Sequence, residues 1–257
     1  MNILRSIIPI LLAGIFLLAA VILAGNIFVT YKTMSIGGVT VTGSASKDFT
    51  SDLIVWRGSF SRTAPTSREA YSALKQDAAG VKSYLLQYGV NEDEMVFSSV
   101  NISPNYSTLE SNDANGNKNT SNVISGYILS QNVIVTSSDV NKIEVISRDV
   151  TNLIDSGVYF TSNPPEYYYT QLDQLKIAMI ADATANAQLR AQKIADNTNA
   201  RLGKLLSANL GVFQIVAANS SGDNFSSSGA FDTSSKLKTA SITVRLSYSL
   251  GGPWYLK

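Results

Sequence analysis

Residues 240–250, ASITVRLSYSL, alternate without a break: Ala240, Ile242, Val244, Leu246, Tyr248 and Leu250 point one way, and Ser241, Thr243, Arg245, Ser247 and Ser249 the other. A period of two with one oily and one polar side belongs to a strand buried on one face and wet on the other, the pattern of an antiparallel sheet. Upstream of this strand lies a polar tract, Asn219 to Ser235, and before it Leu205 to Ala218 supplies further strand residues. The preceding segment, Gln171 to about Thr198, has helical composition, with eight alanines between Ala178 and Ala200. Alanine at that density favours helix and lets another backbone approach closely.

The N-terminal half adds two strand–helix–strand passages, 52–102 and 126–161. DLIVWRGSFSR (52–62) alternates with Ile54, Trp56 and Phe60 on one face. Thr66 and Glu69 then stand at capping-box spacing, followed by Ala70, Tyr71, Leu74, Ala78, Val81 and Leu85 at helical period. That helix is expected to end near Tyr88, with Gly89 as a left-handed cap. Val96 to Ile102 reads as a strand stopped by Ser103-Pro104. The tract 107–122, STLESNDANGNKNTSN, has almost no apolar side chains and reads as a mobile hairpin loop. GYILSQNVIVT (126–136) is a strand. Asp139 to Ile154 is a helix with Val140, Ile143, Ile146, Val150 and Ile154 inward, closed by Asp155-Ser156-Gly157, and Val158 to Thr161 is a strand. Together with VTVTG at 39–43 these elements predict an α+β fold: an antiparallel sheet with helices packed on one face.

The first thirty residues differ in kind. Arg5 precedes an apolar run from Ile7 to Val29 that only Pro9, Gly14, Gly25 and Asn26 interrupt. As a helix it would reach about 34 Å, enough for a ~30 Å hydrocarbon core. The run is longer than a signal-peptide core, and cutting after Ala24 or Gly25 would put bulky Ile22 or Leu23 three positions from the bond. The reading is therefore a membrane anchor over 1–30, a connector over 31–38 and one domain over 39–257, with a cleaved signal as the alternative. Arg5 favours a cytoplasmic N-terminus and a domain on the far side of the membrane.

Composition narrows the chemistry. The chain has neither His nor Cys, so a Ser-His-Asp or Cys-His relay and the usual zinc ligands are excluded. With 20 basic and 19 acidic residues it has no global field to steer a nucleic acid. Charged residues make up only 15%, and Ser, Thr and Asn cover the surface in their place. The acidic run Glu92-Asp93-Glu94 would suit a hard cation, but reads as a solvated turn. Asp173, Asp182 and Asp196 are spaced too far apart along the long helix to converge as a catalytic pair. Tyr167-Tyr168-Tyr169, after Pro164-Pro165, reads either as a sheet end with two of three rings buried or as a glycan or subunit platform. Trp56 reads as core. Five Asn-x-Ser/Thr triplets, at Asn101, Asn105, Asn119, Asn219 and Asn224, are what chance gives in a chain this rich in Asn and Ser. No catalytic, cofactor-binding or metal-binding residue is expected.

VTVTGSAS (39–46), YGV at 88–90 leading into NEDEMVFSSVNISPNYS (91–107), GYILSQNVIVT (126–136), and the Ala-rich helix followed by ARLGKLLS (200–207) and the alternating final strand form an ordered set. In that order they resemble the SIMPL-domain family. Asn101-Ile102-Ser103-Pro104-Asn105-Tyr106 matches that family's Ser-x-Ser-Pro-x-Tyr-like element. The resemblance covers roughly 39–250. It implies a bacterial envelope protein, assembly of copies into ring-like homo-oligomers, a link to oxidative or envelope stress tolerance, and no catalytic residues to carry over. The long leader departs from the ordinary cleaved signal of many relatives. The expectation is thus a non-enzymatic, single-pass inner-membrane protein with its C-terminal domain in the periplasm, working by self-assembly. A binding module for a peptide, glycan or small molecule is the alternative, and a carboxylate-dependent enzyme the third class.

Overall fold

A computed structural model describes residues 14–28, 37–112, 118–220 and 226–251. Among the described residues there are four α-helices: α1 (14–28), α2 (Ser67–Gln87), α3 (Val140–Asp149) and α4 (Leu172–Asn197). The strands are β1 (Gly38–Thr50), β2 (Leu53–Ala64), β3 (Met95–Phe97), β4 (Asn101–Asn112), β5 (Lys118–Ser137), β6 (Phe160–Ser162), β7 (Glu166–Tyr168), β8 (Arg201–Leu210), β9 (Gln214–Ala217) and β10 (Leu237–Gly251). They form two sheets where the sequence suggests one. The four-stranded sheet has the order β1-β10-β8, with β9 also paired to β10. The six-stranded sheet has the order β3-β5-β2-β6, with β4 on β5 and β7 on β2. The class is α+β as expected.

The chain divides into two compact units. One comprises Lys47–Lys176 and Gln214–Ala240. Its core is the inner face of the six-stranded sheet, where Ile54, Trp56, Phe60, Leu129, Val133 and Val135 are all buried. The β2–β5 register pairs Trp56 with Val135 and Gly58 with Val133, so these residues share a face. Against it α2 sets Ala70, Leu74, Val81 and Leu85, and α3 sets Val140, Ile143 and Ile146. Thr66 caps α2 by accepting from the Glu69 N–H, and Gly89 (φ 81°) ends the turn, both as the spacing predicts. Tyr71 is exposed, a correction to its expected inward position, and Asp77 is buried on the inward side instead. The Arg62 guanidinium makes this burial tolerable: Nε donates to Asp77 Oδ2 at 2.5 Å, and Nη2 to Oδ1 at 2.7 Å and to the Gly157 carbonyl at 2.7 Å.

Three further expectations are corrected here. Pro104 does not stop a strand: β4 runs through it, paired to Tyr127 of β5. Among the described residues β4 pairs only with β5, and an outermost strand tolerates a residue without an N–H. The tract 107–122 is not a loop throughout, because 107–112 ladder with 118–123 as a continuation of the β4–β5 hairpin; residues 113–117 lie outside the described residues. The helix over 139–154 is α3 followed by a 3₁₀ segment, Val150–Ser156. At three residues per turn the phase changes. Leu153 therefore turns inward and Ile154 is exposed, while Gly157 (φ 79°) closes the segment as expected.

The second unit comprises Met1–Ser46, Ile177–Phe213 and Ser241–Lys257. Here β10 turns Ile242, Val244, Leu246 and Tyr248 inward, as its alternation predicts. On α4, Met179, Ala183, Ala187, Ala191 and Ala195 are all buried at strict four-residue spacing. Because a turn holds 3.6 residues, such a stripe winds slowly around the helix, which suits a twisted sheet. Gly43 of β1 lies directly under it: a side chain there would come within 3 Å of the Ala183 carbonyl and the Ala187 nitrogen. Two side chains of α4 also reach backbone groups of β1, Arg190 Nη1 donating to Thr42 O at 2.9 Å and Asn186 Oδ1 accepting from Ser44 N at 3.3 Å. The strand residues expected over 205–218 divide between β8 and β9.

All of α1 is exposed, from Phe16 at 80% to Ile22 at 56%. Its fifteen described residues span about 22 Å. Among the described residues no helix is long and apolar enough to cross a membrane. The apolar run of the sequence, Ile7 to Val29, extends outside the described residues at both ends.

Candidate functional site

A buried lysine, a half-buried aspartate and three tyrosines come together within the first unit, around β7, β9 and the start of β10. Carrying the alternation of β10 back two residues from Ala240 puts Lys238 on the inward face, where it is 2% exposed. Burial pushes its ammonium below the ordinary lysine range, and the charge of Asp232 opposes that shift. Its Nζ donates to the Tyr167 carbonyl at 2.9 Å and to the Asp232 carbonyl. A buried cation needs such acceptors, since an unpaired one is costly.

Asp232 belongs to the segment 226–236, which covers this end of the sheet. Burial works against its charge, but bonds from the Ser234 and Ser235 side chains and the nearby Lys238 hold its carboxyl below the ordinary range. Asp232 Oδ1 accepts from Ser234 N at 2.8 Å and Ser234 Oγ at 2.7 Å, while Oδ2 is buried without a hydrogen-bond partner. Gln214 clasps the other end of the segment. Its Nε2 donates to Ser226 O at 2.6 Å, and its Oε1 accepts from Ala230 N at 2.7 Å and Ser226 N at 3.3 Å.

Two hollows result. Between β9 and 230–235 runs a groove of ≈ 310 Å³ lined by residues 215–217 on one side and by Ala230, Phe231, Asp232, Ser234 and Ser235 on the other. Behind Phe231 and Ile215 lies a cavity of ≈ 10 Å³ that reaches Lys238 and is walled by Phe49 and the three tyrosines. The tyrosine run therefore splits by role. Tyr167 is buried, and burial raises its hydroxyl pKa. Tyr168 donates to Glu166 Oε2 at 2.9 Å, which also accepts from Arg57 Nη1 at 2.6 Å. Tyr169 packs on Phe49 with ring centroids 4.8 Å apart. One ring is fully buried and two are half-buried, against the two of three the sequence suggests.

The remaining candidates are placed apart from this site. Glu92-Asp93-Glu94 forms a single 3₁₀ turn. Glu92 pairs with Lys82, and the bond from Ser137 Oγ at 2.5 Å leads the effects that hold Glu94 below the ordinary carboxylate range. Asp173 lies 3.9 Å from Lys176, and Asp196 accepts from Gln192 at 2.7 Å. Trp56 is core, its Nε1 donating to Ser162 Oγ at 2.9 Å. Among the described residues no group of three or more His, Cys, Asp or Glu is placed to share a metal ion. The groove has room for a small ligand held by shape and apolar contact, whereas the cavity is about the size of one water. Among the described residues Asp232 is the one carboxylate in the groove lining, and it accepts from the Ser234 hydroxyl.

Sequence reasoning missed Lys238, Asp232 and Gln214. Only Lys238 carries a signal, its place on the inward parity of the final strand; the other two act through backbone groups distant in the chain. Residues 39–249 match the SIMPL family, described as "Protein of unknown function (DUF541)". No curated protein matches the chain.

Proposed function

Because this chain belongs to the SIMPL family, for which no activity is assigned, we propose that it is a non-enzymatic, membrane-tethered envelope protein that works through association of its own copies. The observation that carries the assembly is β8. It is an outer strand of its sheet, nine of its ten residues are exposed, and it presents Leu205, Leu206 and Leu210 at 51–63% exposure. A long apolar edge with open backbone groups is a template for another strand. The opposite edge is different: Arg190 and Asn186 of α4 occupy backbone groups of β1. Among the described residues β8 is the edge on which no side chain of α4 takes a backbone group, which favours two copies meeting β8 to β8 about a two-fold axis. A ring-like assembly needs a second, different contact between such pairs. The low surface charge helps, since few ions would be desolvated.

The tether rests on α1. Nine large apolar side chains from Ile15 to Phe28 are more than half exposed. Covering each is worth roughly 1.5–3 kcal/mol, so lipid is a far better surrounding for them than water. With Arg5 and the apolar residues from Ile7 onward in the sequence, this supports a single-pass anchor in a bacterial inner membrane, the domain facing the periplasm. Envelope stress tolerance is the physiological setting the family resemblance implies. A second reading, a binding module, draws on the groove beside β9 and concerns a different surface.

The two parts separate experimentally. Leu206→Lys with Leu210→Lys puts charge on the β8 edge at exposed sites, so folding is expected to be unchanged while the association constant falls roughly tenfold or more. Detergent-extracted wild-type and variant chains, compared by light scattering, supply the readout. An unchanged assembly in the folded variant contradicts the role of β8. Recovery of the wild-type chain from cells without any membrane association contradicts the tether.

A further inference from the structure

The groove beside β9 is the opened part of a parallel ladder. Ile215 N donates to Ala230 O at 2.8 Å and accepts, through its own carbonyl, from Asp232 N at 3.0 Å, forming one parallel bridge between Ile215 and Phe231. A parallel ladder repeats every second residue. The next step would join Ala217 N to Asp232 O, and Ser234 N to Ala217 O.

Neither bond is made, and three of the four groups concerned have another partner. The Asp232 carbonyl accepts from Lys238 Nζ. The Ser234 N–H donates to Asp232 Oδ1 at 2.8 Å. The Ala217 carbonyl accepts from Ser220 N at 3.1 Å. On the other side of the segment, Tyr167 N donates to Thr233 O at 2.7 Å, as a neighbouring strand would, but the Tyr167 carbonyl again goes to Lys238 Nζ. The ammonium therefore takes one carbonyl from the 230–235 segment and one from β7.

We propose that Lys238 is a latch that holds the seam between β9 and residues 230–235 open, and that releasing it lets 232–234 zip onto Ala217 and erase the groove. Two arrangements of the same backbone compete here. In the latched one the lysine satisfies two carbonyls, and the Asp232 side chain satisfies Ser234 N. In the zipped one backbone groups satisfy each other, and Asp232 Oδ1 loses its backbone partner. Lysine suits the latch because its ammonium, a point charge with three donors, can donate to several carbonyls without a fixed geometry. The latch acts on the groove alone and is independent of the β8 edge.

Amide hydrogen exchange on the full chain tests it. In the wild-type protein the Ala217 amide is expected to exchange roughly a hundredfold faster than the Ile215 amide, whose bond to Ala230 is made. Lys238→Met keeps the length of the side chain and removes the donor; Ala217 is then expected to become roughly tenfold more protected. Adding Ser234→Pro, which removes the N–H that the zipped ladder needs, is expected to return Ala217 to fast exchange. Comparable protection of Ala217 and Ile215 in the wild type overturns the proposal, whether or not any variant folds. So does a folded Lys238→Met chain in which Ala217 exchange is unchanged.

Discussion

Gly43→Val is expected to destabilise the unit that contains it by about 3 kcal/mol or more, lowering its melting temperature by roughly 6–12 °C. The cause is direct contact between two backbones. A Cβ at residue 43 would come within 3 Å of the Ala183 carbonyl, the Ala187 nitrogen and the Ala187 methyl group. Two of these three atoms are helix backbone and have no rotamer to adopt. The helix must move away from the sheet, and that separates every contact of the Met179–Ala195 stripe. A close-packed interior makes such a shift expensive. Gly80→Ala is the control, because nothing lies within 4 Å of that position; in the interior of α2 it is expected to stabilise by about 0.5–1 kcal/mol. Thermal unfolding followed by circular dichroism reads both. A Gly43→Val chain that melts with the wild type would show that β1 and α4 do not pack as closely as described.

Trp56→Ala is expected to cost about 3–5 kcal/mol. The side chain is fully buried at the centre of the other unit and lies 5.8 Å from the Phe160 ring, centroid to centroid. Its loss leaves a cavity between the sheet and the helices that no single neighbour can fill. The indole N–H also anchors a short relay: it donates to Ser162 Oγ, which donates to the Ser147 carbonyl at 2.6 Å and so joins β6 to α3. Trp56→Phe separates the two contributions. It restores much of the volume but leaves the Ser162 oxygen without its donor, and is expected to cost about 1–3 kcal/mol. Equal costs for the two substitutions, measured by denaturant unfolding, would mean that the hydrogen bond carries the effect and packing does not.

Strong periodicity and local capping made much of the fold legible. The parity of 240–250, the inward set of 52–62, the Thr66 cap and the glycines at 89 and 157 each depend on residues a few positions apart. What was not legible depends on partners far along the chain. Pro104 sits inside a strand because β4 is outermost, a fact about its neighbour in space. The polar tract 107–122 reads as unstructured because it buries little, yet backbone ladder bonds need no apolar side chains. Ile154 and Leu153 exchange places because the last turns tighten to 3₁₀, which shifts phase without a sequence marker. The alternation of 240–250 reaches back to Lys238, but a lysine on an oily face resembles the end of a strand until its two carbonyl acceptors are seen. Asp232 and Gln214 act on backbone groups that only the fold brings to them. The seam beside β9 was therefore hidden, while the tyrosines near it were visible.

The proposed function requires that copies of this chain associate. Light scattering of the full-length protein, extracted in detergent and measured across a wide range of concentration, tests it most directly. A protein mass that is a multiple of 27.6 kDa and falls only on dilution is expected. A protein mass of 27.6 kDa at every concentration would contradict it.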